Sequence, residues 1–583
     1  MNDFVADVSY FRRKTKSAMF CKSLICMLLL LSGMVLSAQN IAPTEAVMRF
    51  LGSEDLQELD ADEVEKLEYL LDDKARINIL SEQELRSCGL FTSYQAAVIR
   101  DYIGRHGPIR SLLELSMLDG FGDEYIARAA PFISLSVLEQ GDSKVRHELA
   151  ARAGFKWQAE SGSDGSYGFK YRIKAGDRLV GSIAASRSYG CSSWTPSALS
   201  GSLAWKSARR PLRVILGDFN ARFGQGLTLW NNSFLTSLTT PDSFMKRPSG
   251  LAQPWSFTGN GALTGGAVEA GFGKVQISVM AALEGLKDAV LQKDPPSAGR
   301  FQIMPALNVA WYGRHGQVSF SNVVSFPLVH STPKTTMKTG LDAAFCIRGV
   351  NVFGEVAYDW VAMIPKALAG TRFKIGEKTD MAVQARAFVQ EEYGIACSGM
   401  HTLSNSTLSW VLDGAANSNG HQVKSQITYE KVFNERWKLK FRLSERVRTW
   451  GLKFRTDARA DVTYTKDIWH ASMRLNVLNC DQTGVLSYME GGYSGEKLTA
   501  YLRQGIFFID DWDDRIYVYE RDAPGAFNVP AMYGRGVWTS ATASAKFTSS
   551  LRLYARASFV SYPFMQKKKP GKAELKLQLQ WRF

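Results

Sequence analysis

The closing nine residues, Leu575-Lys-Leu-Gln-Leu-Gln-Trp-Arg-Phe583, constrain this chain more than any other stretch. Leu575, Leu577, Leu579, Trp581 and Phe583 occupy one phase of a period-two pattern, and Lys576, Gln578, Gln580 and Arg582 occupy the other. A β-strand sends alternate side chains to opposite faces, so this strand has one apolar face and one wet, cationic face. Two kinds of fold use such a strand: a soluble sandwich and a barrel standing in lipid.

The other end of the chain separates them. Arg12, Arg13, Lys14, Lys16 and Lys22 form a positive region, followed by an apolar run over 23–36 and the small pair Ser37-Ala38. This is the layout of a secretory signal, and Met19 would begin an ordinary one by itself. The apolar run is shorter than the roughly 20 residues a spanning helix needs. Residues 1–38 are therefore expected to be a cleaved signal peptide. No later apolar run is long enough for a spanning helix, and the mean hydropathy of −0.15 does not exclude a barrel, whose lumen and loops are polar. An apolar phase ending on Phe583, with Leu579 and Trp581 before it, resembles the assembly signal of bacterial outer-membrane β-barrels. That resemblance implies the outer membrane as location, its lipid as solvent and the barrel-assembly machinery as a partner. Five cysteines remain beyond the signal, too few and too scattered for a disulfide framework.

Charge divides the mature chain near residue 136. Residues 41–135 carry nine Lys/Arg against eighteen Asp/Glu, or −9. With +3 in the signal segment and +14 overall, residues 136–583 hold +20. The basic region is a succession of alternating segments, among them 147–160, 167–176, 178–187, 274–284, 338–348, 436–446, 537–547 and 551–559. Turn residues join them, such as Lys174-Ala-Gly-Asp177 and Gly491-Gly-Tyr-Ser-Gly495. At about 22 residues per tilted strand and turn, the region predicts roughly 20 strands, within a range of about 16 to 22. Trp230, Tyr312, Trp360, Trp450, Trp469 and Tyr562 are candidates for interfacial girdles, and 231–260 and 288–305 read as loops, extracellular or folded into the lumen. The fold class expected is α+β: a small all-α domain at 41–135, then an antiparallel transmembrane barrel at 136–583.

The acidic region is helical. Ser81-Glu-Gln-Glu84 is a capping box, and Tyr94 to Ile103 places Ala96, Ile99 and Ile103 on one side. The order of Ile77-Asn-Ile-Leu80, Glu84-Leu-Arg-Ser-Cys-Gly-Leu-Phe91, Ala96-Ala-Val-Ile-Arg-Asp-Tyr102, His106-Gly-Pro-Ile109, Leu112-Leu-Glu-Leu115 and Asp119-Gly-Phe-Gly122 resembles the helix-hairpin-helix domain of ComEA-type competence proteins. The resemblance covers about sixty residues and implies phosphate contacts at Gly89, Leu90, Gly120, Phe121 and Gly122. Arg100, Arg105, His106 and Arg110 add a local cationic patch. Against DNA stand Phe91 in place of the first hairpin's second glycine, Asp123-Glu124 after the second hairpin, and the net −9. The β region resembles a family in which such a module precedes a large barrel, through the segments Gly217 to Trp230, Asp513 to Glu520 and Tyr533-Gly-Arg-Gly536.

Enzyme signals are absent. The seven histidines never reach metal-ligand spacing, and no His-Glu-x-x-His, Cys-x-x-Cys, Gly-x-Ser-x-Gly or P-loop occurs. Asp510, Asp511, Asp513 and Asp514 read as a solvated acidic loop rather than a calcium site. No catalytic residue, metal or cofactor is expected. The function expected is a non-enzymatic barrel whose periplasmic helical module docks on an envelope or transport partner or gates the barrel. DNA uptake through the module is the competing reading, and a channel for anionic solutes the third.

Overall fold

The computed structural model describes residues 43–52, 61–137, 145–158, 162–176, 178–231, 238–254, 256–257, 261–287, 291, 301–328, 335–526, 528–565 and 569–583. The signal segment 1–38 and parts of 231–260 and 288–305 lie outside them.

Six short helices form the N-terminal module: α1 (Pro43–Leu51), α2 (Ala61–Asp72), α3 (Glu82–Ser87), α4 (Ser93–His106), α5 (Leu112–Ser116) and α6 (Asp123–Ala129). Ser81 and Glu84 complete a reciprocal capping box on α3, and Thr92 with Gln95 forms a second on α4. Val47, Leu67, Ile77, Leu85, Leu90, Ile99, Leu115 and Phe132 make one closed apolar core. The module thus has a hydrophobic interior of its own. A short parallel pairing of Ala75–Arg76 with Ile133–Ser134 ties its two ends together.

The remainder is one closed barrel of 24 antiparallel strands, each paired with its sequence neighbours. Closure joins the last strand, Lys572–Arg582, to the first, Val145–Gln158, with Leu577 opposite Ala153. Phe583 and His147 add two backbone hydrogen bonds at 2.7 and 2.9 Å, and their rings stack at 4.9 Å. Leu575, Leu577, Trp581 and Phe583 face outward and exposed, whereas Gln578 is buried in the lumen. Closure leaves the wall without a free sheet edge, the condition for β-structure to cross hydrocarbon. With its outward apolar belt, this is an outer-membrane barrel. Among the described residues no helix is long and apolar enough to cross a membrane.

The strand count exceeds the expected 16 to 22. Turns at one end are only two to five residues long, so less chain is spent per strand. Gly491 and Gly492, expected in a turn, lie inside the strand Thr483–Ser494. A Cβ on Gly492 would collide with the Tyr501 ring of the next strand, so glycine here clears space for a cross-strand aromatic. Tyr312 also departs from its expected girdle role, because the Arg86 guanidinium of α3 lies 3.8 Å over its ring. Trp360 does stand exposed at the opposite end of the wall.

That opposite end carries the long connections. The described residues of two of them, 223–262 and 510–533, turn back into the lumen. Phe244 packs on Phe353, Leu368, Ala382, Phe388, Ala396 and Val411 of the inner wall. Ile516 and Val518 pack on Leu478, Leu486, Tyr488, Phe507 and Trp538. The helical module enters from the other side, at the end of the short turns and the C-terminus.

Candidate functional site: a plugged lumen

The plug begins with the pattern of α2. Val64, Leu67 and Leu71 point into the module core, while Glu65, Glu68, Tyr69 and Asp72 recur at helical spacing on the other face. The facing strand Gly162–Ala175 alternates Phe169, Tyr171 and Ile173 with Lys170, Arg172 and Lys174. Strand periodicity therefore sends three cations inward, where helix periodicity presents carboxylates.

The two patterns meet in ion pairs. Lys170 binds Glu65, Lys174 lies 3.5 Å from Asp73, and Lys206 lies 2.6 Å from Glu84. Arg582 and Arg552 reach Asp72 at 3.1 and 3.7 Å. Tyr69 donates to Glu148 at 2.7 Å and accepts from Lys174 at 2.6 Å. On the far side of the module, Thr402 donates to Glu124 at 3.1 Å. The −9 module and the +20 barrel are thus complementary surfaces of one joint.

Electrostatics in the module follow from the same contacts. Burial pushes the Asp73 carboxyl up, but Lys174 and the Tyr69 hydroxyl outweigh it and hold the group below its usual range. Burial likewise raises Glu84, and hydrogen bonds from Lys206 and Ser81 more than reverse it.

The two inner loops meet the plug from the other direction. Asp242 of 223–262 is bound by Arg128 of α6 and by Arg372 of the wall. Thr239 donates to the Gly52 carbonyl at 2.6 Å, and Arg247 lies over the Phe50 and Tyr125 rings at 5.1 and 5.6 Å. Gly525 of 510–533 donates to Glu68 at 2.9 Å. The loop 223–262 is anchored at Glu355, whose carboxylate accepts from the amides of Gln225, Leu227 and Thr228 and the Thr228 hydroxyl at 2.7 to 3.1 Å. Gly224, at φ 62°, makes this possible: a Cβ there would lie 2.7 Å from a Glu355 oxygen. A cavity of about 380 Å³ remains between α2, the loop 510–533 and the wall, lined by Glu65, Glu68, Arg152, Tyr189, Arg556 and Lys576.

The residues singled out for phosphate binding do not converge. Leu90 is fully buried in the module core, and the Tyr125 hydroxyl takes its carbonyl. Phe121 is also a core residue, its amide donating to Leu118 at 3.1 Å. Gly89 and Gly120 have positive φ, 84° and 82°, and a Cβ on Gly120 would lie 2.8 Å from the Tyr94 ring. Gly122 caps α6 against the wall, where a Cβ would lie 2.8 Å from the Lys374 ammonium. Arg100 donates to the Leu80 carbonyl, Arg105 pairs with Asp101 at 2.9 Å on an exposed face, and Arg110 is exposed. The glycine turn of α6 therefore faces the barrel and the arginines face elsewhere. Asp481, Asp511 and Asp513 cluster near one another, but Lys453 is paired with both Asp481 and Asp513.

Single-residue reading missed Glu65, Asp72, Glu84, Asp242, Lys170, Lys206 and Glu355. The charge contrast between the two regions was their signal.

No protein-family model matches this chain, and no curated protein matches it. Among solved structures, the P pilus usher PapC translocation pore is similar over 75% of this chain and 99% of its own, at 9% identity and a TM-score of 0.38. The siderophore receptor PirA of Pseudomonas aeruginosa is similar over 76% and 81%, at 8% identity and 0.40. OccAB3 of Acinetobacter baumannii is similar over 76% and 100%, at 9% identity and 0.30. These values are too low for any activity to carry across.

Proposed function

We propose that this protein is a gated outer-membrane conduit in which the helical module is the gate. The observation that carries the reading is the chemistry of the joint. The module folds around its own apolar core, yet it meets the wall through Glu65, Asp72, Asp73 and Glu84 and their cationic partners. The more open pairs of this joint, Lys174–Asp73 and Lys206–Glu84, contribute about 0.2–1 kcal/mol each and exchange readily for water and salt. Such a plug can leave without unfolding. Short turns normally face the periplasm, so the module would sit at the periplasmic mouth, and an envelope partner acting there would displace it. DNA capture by the hairpins would require that displacement first, because the Gly122 turn faces Lys374.

Conductance of the full chain in a planar bilayer tests the gate. The wild type is expected to be closed at moderate salt. The triple variant Glu65→Gln, Asp73→Asn, Glu84→Gln is expected to open, and high salt should open the wild type. A triple variant as silent as the wild type would reject the gate.

A further inference from the structure

The lumen carries a second charged feature that the plug joint does not use. The strands Trp437–Arg448 and Lys453–Lys466 pair antiparallel, and three of their inward rungs place cation opposite cation: Arg442 with Arg459, Arg446 with Arg455, and Arg448 with Lys453. Lys424 of the preceding strand, Gly420–Val432, stands beside Arg446 in the same row. The alternate residues Val423, Phe441, Leu443 and Phe454 are exposed on the outward face, which assigns the cations to the lumen. Six residues of strand separate the outer rungs, so the track is about 20 Å long.

Like charges directly opposite each other destabilise a sheet. The rung nearest the short turns is compensated: Arg442 pairs with Asp457 at 2.9 Å, and Arg459 with Asp461 at 2.5 Å. At the other end Lys453 pairs with Asp481 and Asp513. Lys424, Arg446 and Arg455 between these rungs, and Arg448 opposite Lys453, make no ion pair among the described residues. Arg448 donates to Gln422 at 2.8 Å, and Arg455 donates to the Arg515 carbonyl of the loop 510–533 at 3.4 Å. Asp413, opposite Lys424 in register, is held by Arg386 at 2.8 Å. Four partly buried cations on adjacent rungs are left without a counter-charge.

We propose that Lys424, Arg446, Arg448 and Arg455 form a binding site for a soluble anion bearing multiply charged phosphate. Guanidinium forks match phosphate oxygens two at a time, and three of them with one ammonium suit a ligand of charge −2 or greater. Lipid phosphates are on the wrong side of the wall, beyond the Phe441, Leu443 and Phe454 face. The site names a cargo class for the conduit and rests on reading the barrel as one.

The test is titration of detergent-purified full-length protein with pyrophosphate, and separately with inorganic phosphate, at low salt by calorimetry. Pyrophosphate is expected to bind and to raise the melting temperature. The double variant Arg446→Gln, Arg455→Gln should bind at least tenfold more weakly, while Arg209→Gln, in a short turn at the opposite end, should bind as the wild type does. Without ligand, the double variant should melt no lower than the wild type, since a repulsive rung has been removed. Wild-type protein that binds no pyrophosphate, or a double variant that binds it equally, overturns the site. Either result leaves the gate standing if salt and the triple variant still open the barrel.

Discussion

The lumen is filled twice, and only one of the two fillings adds apolar packing on the wall. The inner loops meet the wall through apolar clusters as well as ion pairs: Phe244 packs among Phe353, Leu368 and Phe388, Ile516 and Val518 pack among Leu478, Phe507 and Trp538, and Asp242 and Glu520 are bound by Arg372 and Arg556. The helical module meets the same wall through ion pairs and keeps its apolar residues for itself. Apolar burial in a wall is lost only by opening a cavity, whereas ion pairs at a wet joint exchange with water at small cost. On the proposed gate, the loops stay with the barrel and the module is the part that leaves.

Substitutions should separate the two. Phe244→Ala removes a fully buried anchor of the loop and is expected to cost about 3–5 kcal/mol, lowering the thermal midpoint of the whole barrel. A midpoint unchanged in heat-modifiability on gels would make the loop as detachable as the plug. Leu85→Ala in the module core should cost about 2–5 kcal/mol, confined to the module. Proteolysis should then cut within 61–137 while the barrel stays folded; simultaneous loss of both would show that they fold as one unit. Glu355→Gln weakens four hydrogen bonds to the turn of 223–262, with an expected cost of about 1.5–3 kcal/mol. Hydrogen exchange at Gln225, Leu227 and Thr228 should accelerate without release of the module.

The smallest energy should have the largest functional consequence. Glu84→Gln is expected to cost at most about 1 kcal/mol, with more frequent channel openings as its readout. Acid should do the same. Asp73 and Glu84 are held below their usual range, so their contribution to docking is complete above the ordinary carboxylate range and is lost as pH falls through the lowered values. Conductance rising below about pH 4 would agree with this. Conductance indifferent to acid would move the joint's stability to the other contacts.

Legibility followed sequence distance. The strand Lys572–Arg582 was visible in Leu575, Trp581 and Phe583 because alternation needs only neighbours two apart. The α3 capping box was visible because Ser81 and Glu84 are three apart. The Gly491-Gly492 pair misled because the cause, Tyr501, lies on the next strand. Tyr312 misled because its partner is Arg86, more than two hundred positions earlier.

The sequence by itself determined the solvent of each face: period-two alternation divided lipid side from lumen side, and the helical period gave the module its core. It also recorded two opposite charges, −9 and +20. Only the tertiary structure decided that those charges face each other across one mouth of the barrel. It likewise decided that Lys374 covers the Gly122 turn, and that Arg446 and Arg455 share a rung with no carboxylate between them. Local periodicity tells a side chain which way to point. What it meets there depends on a register closed over 24 strands, and no short stretch of sequence holds that information.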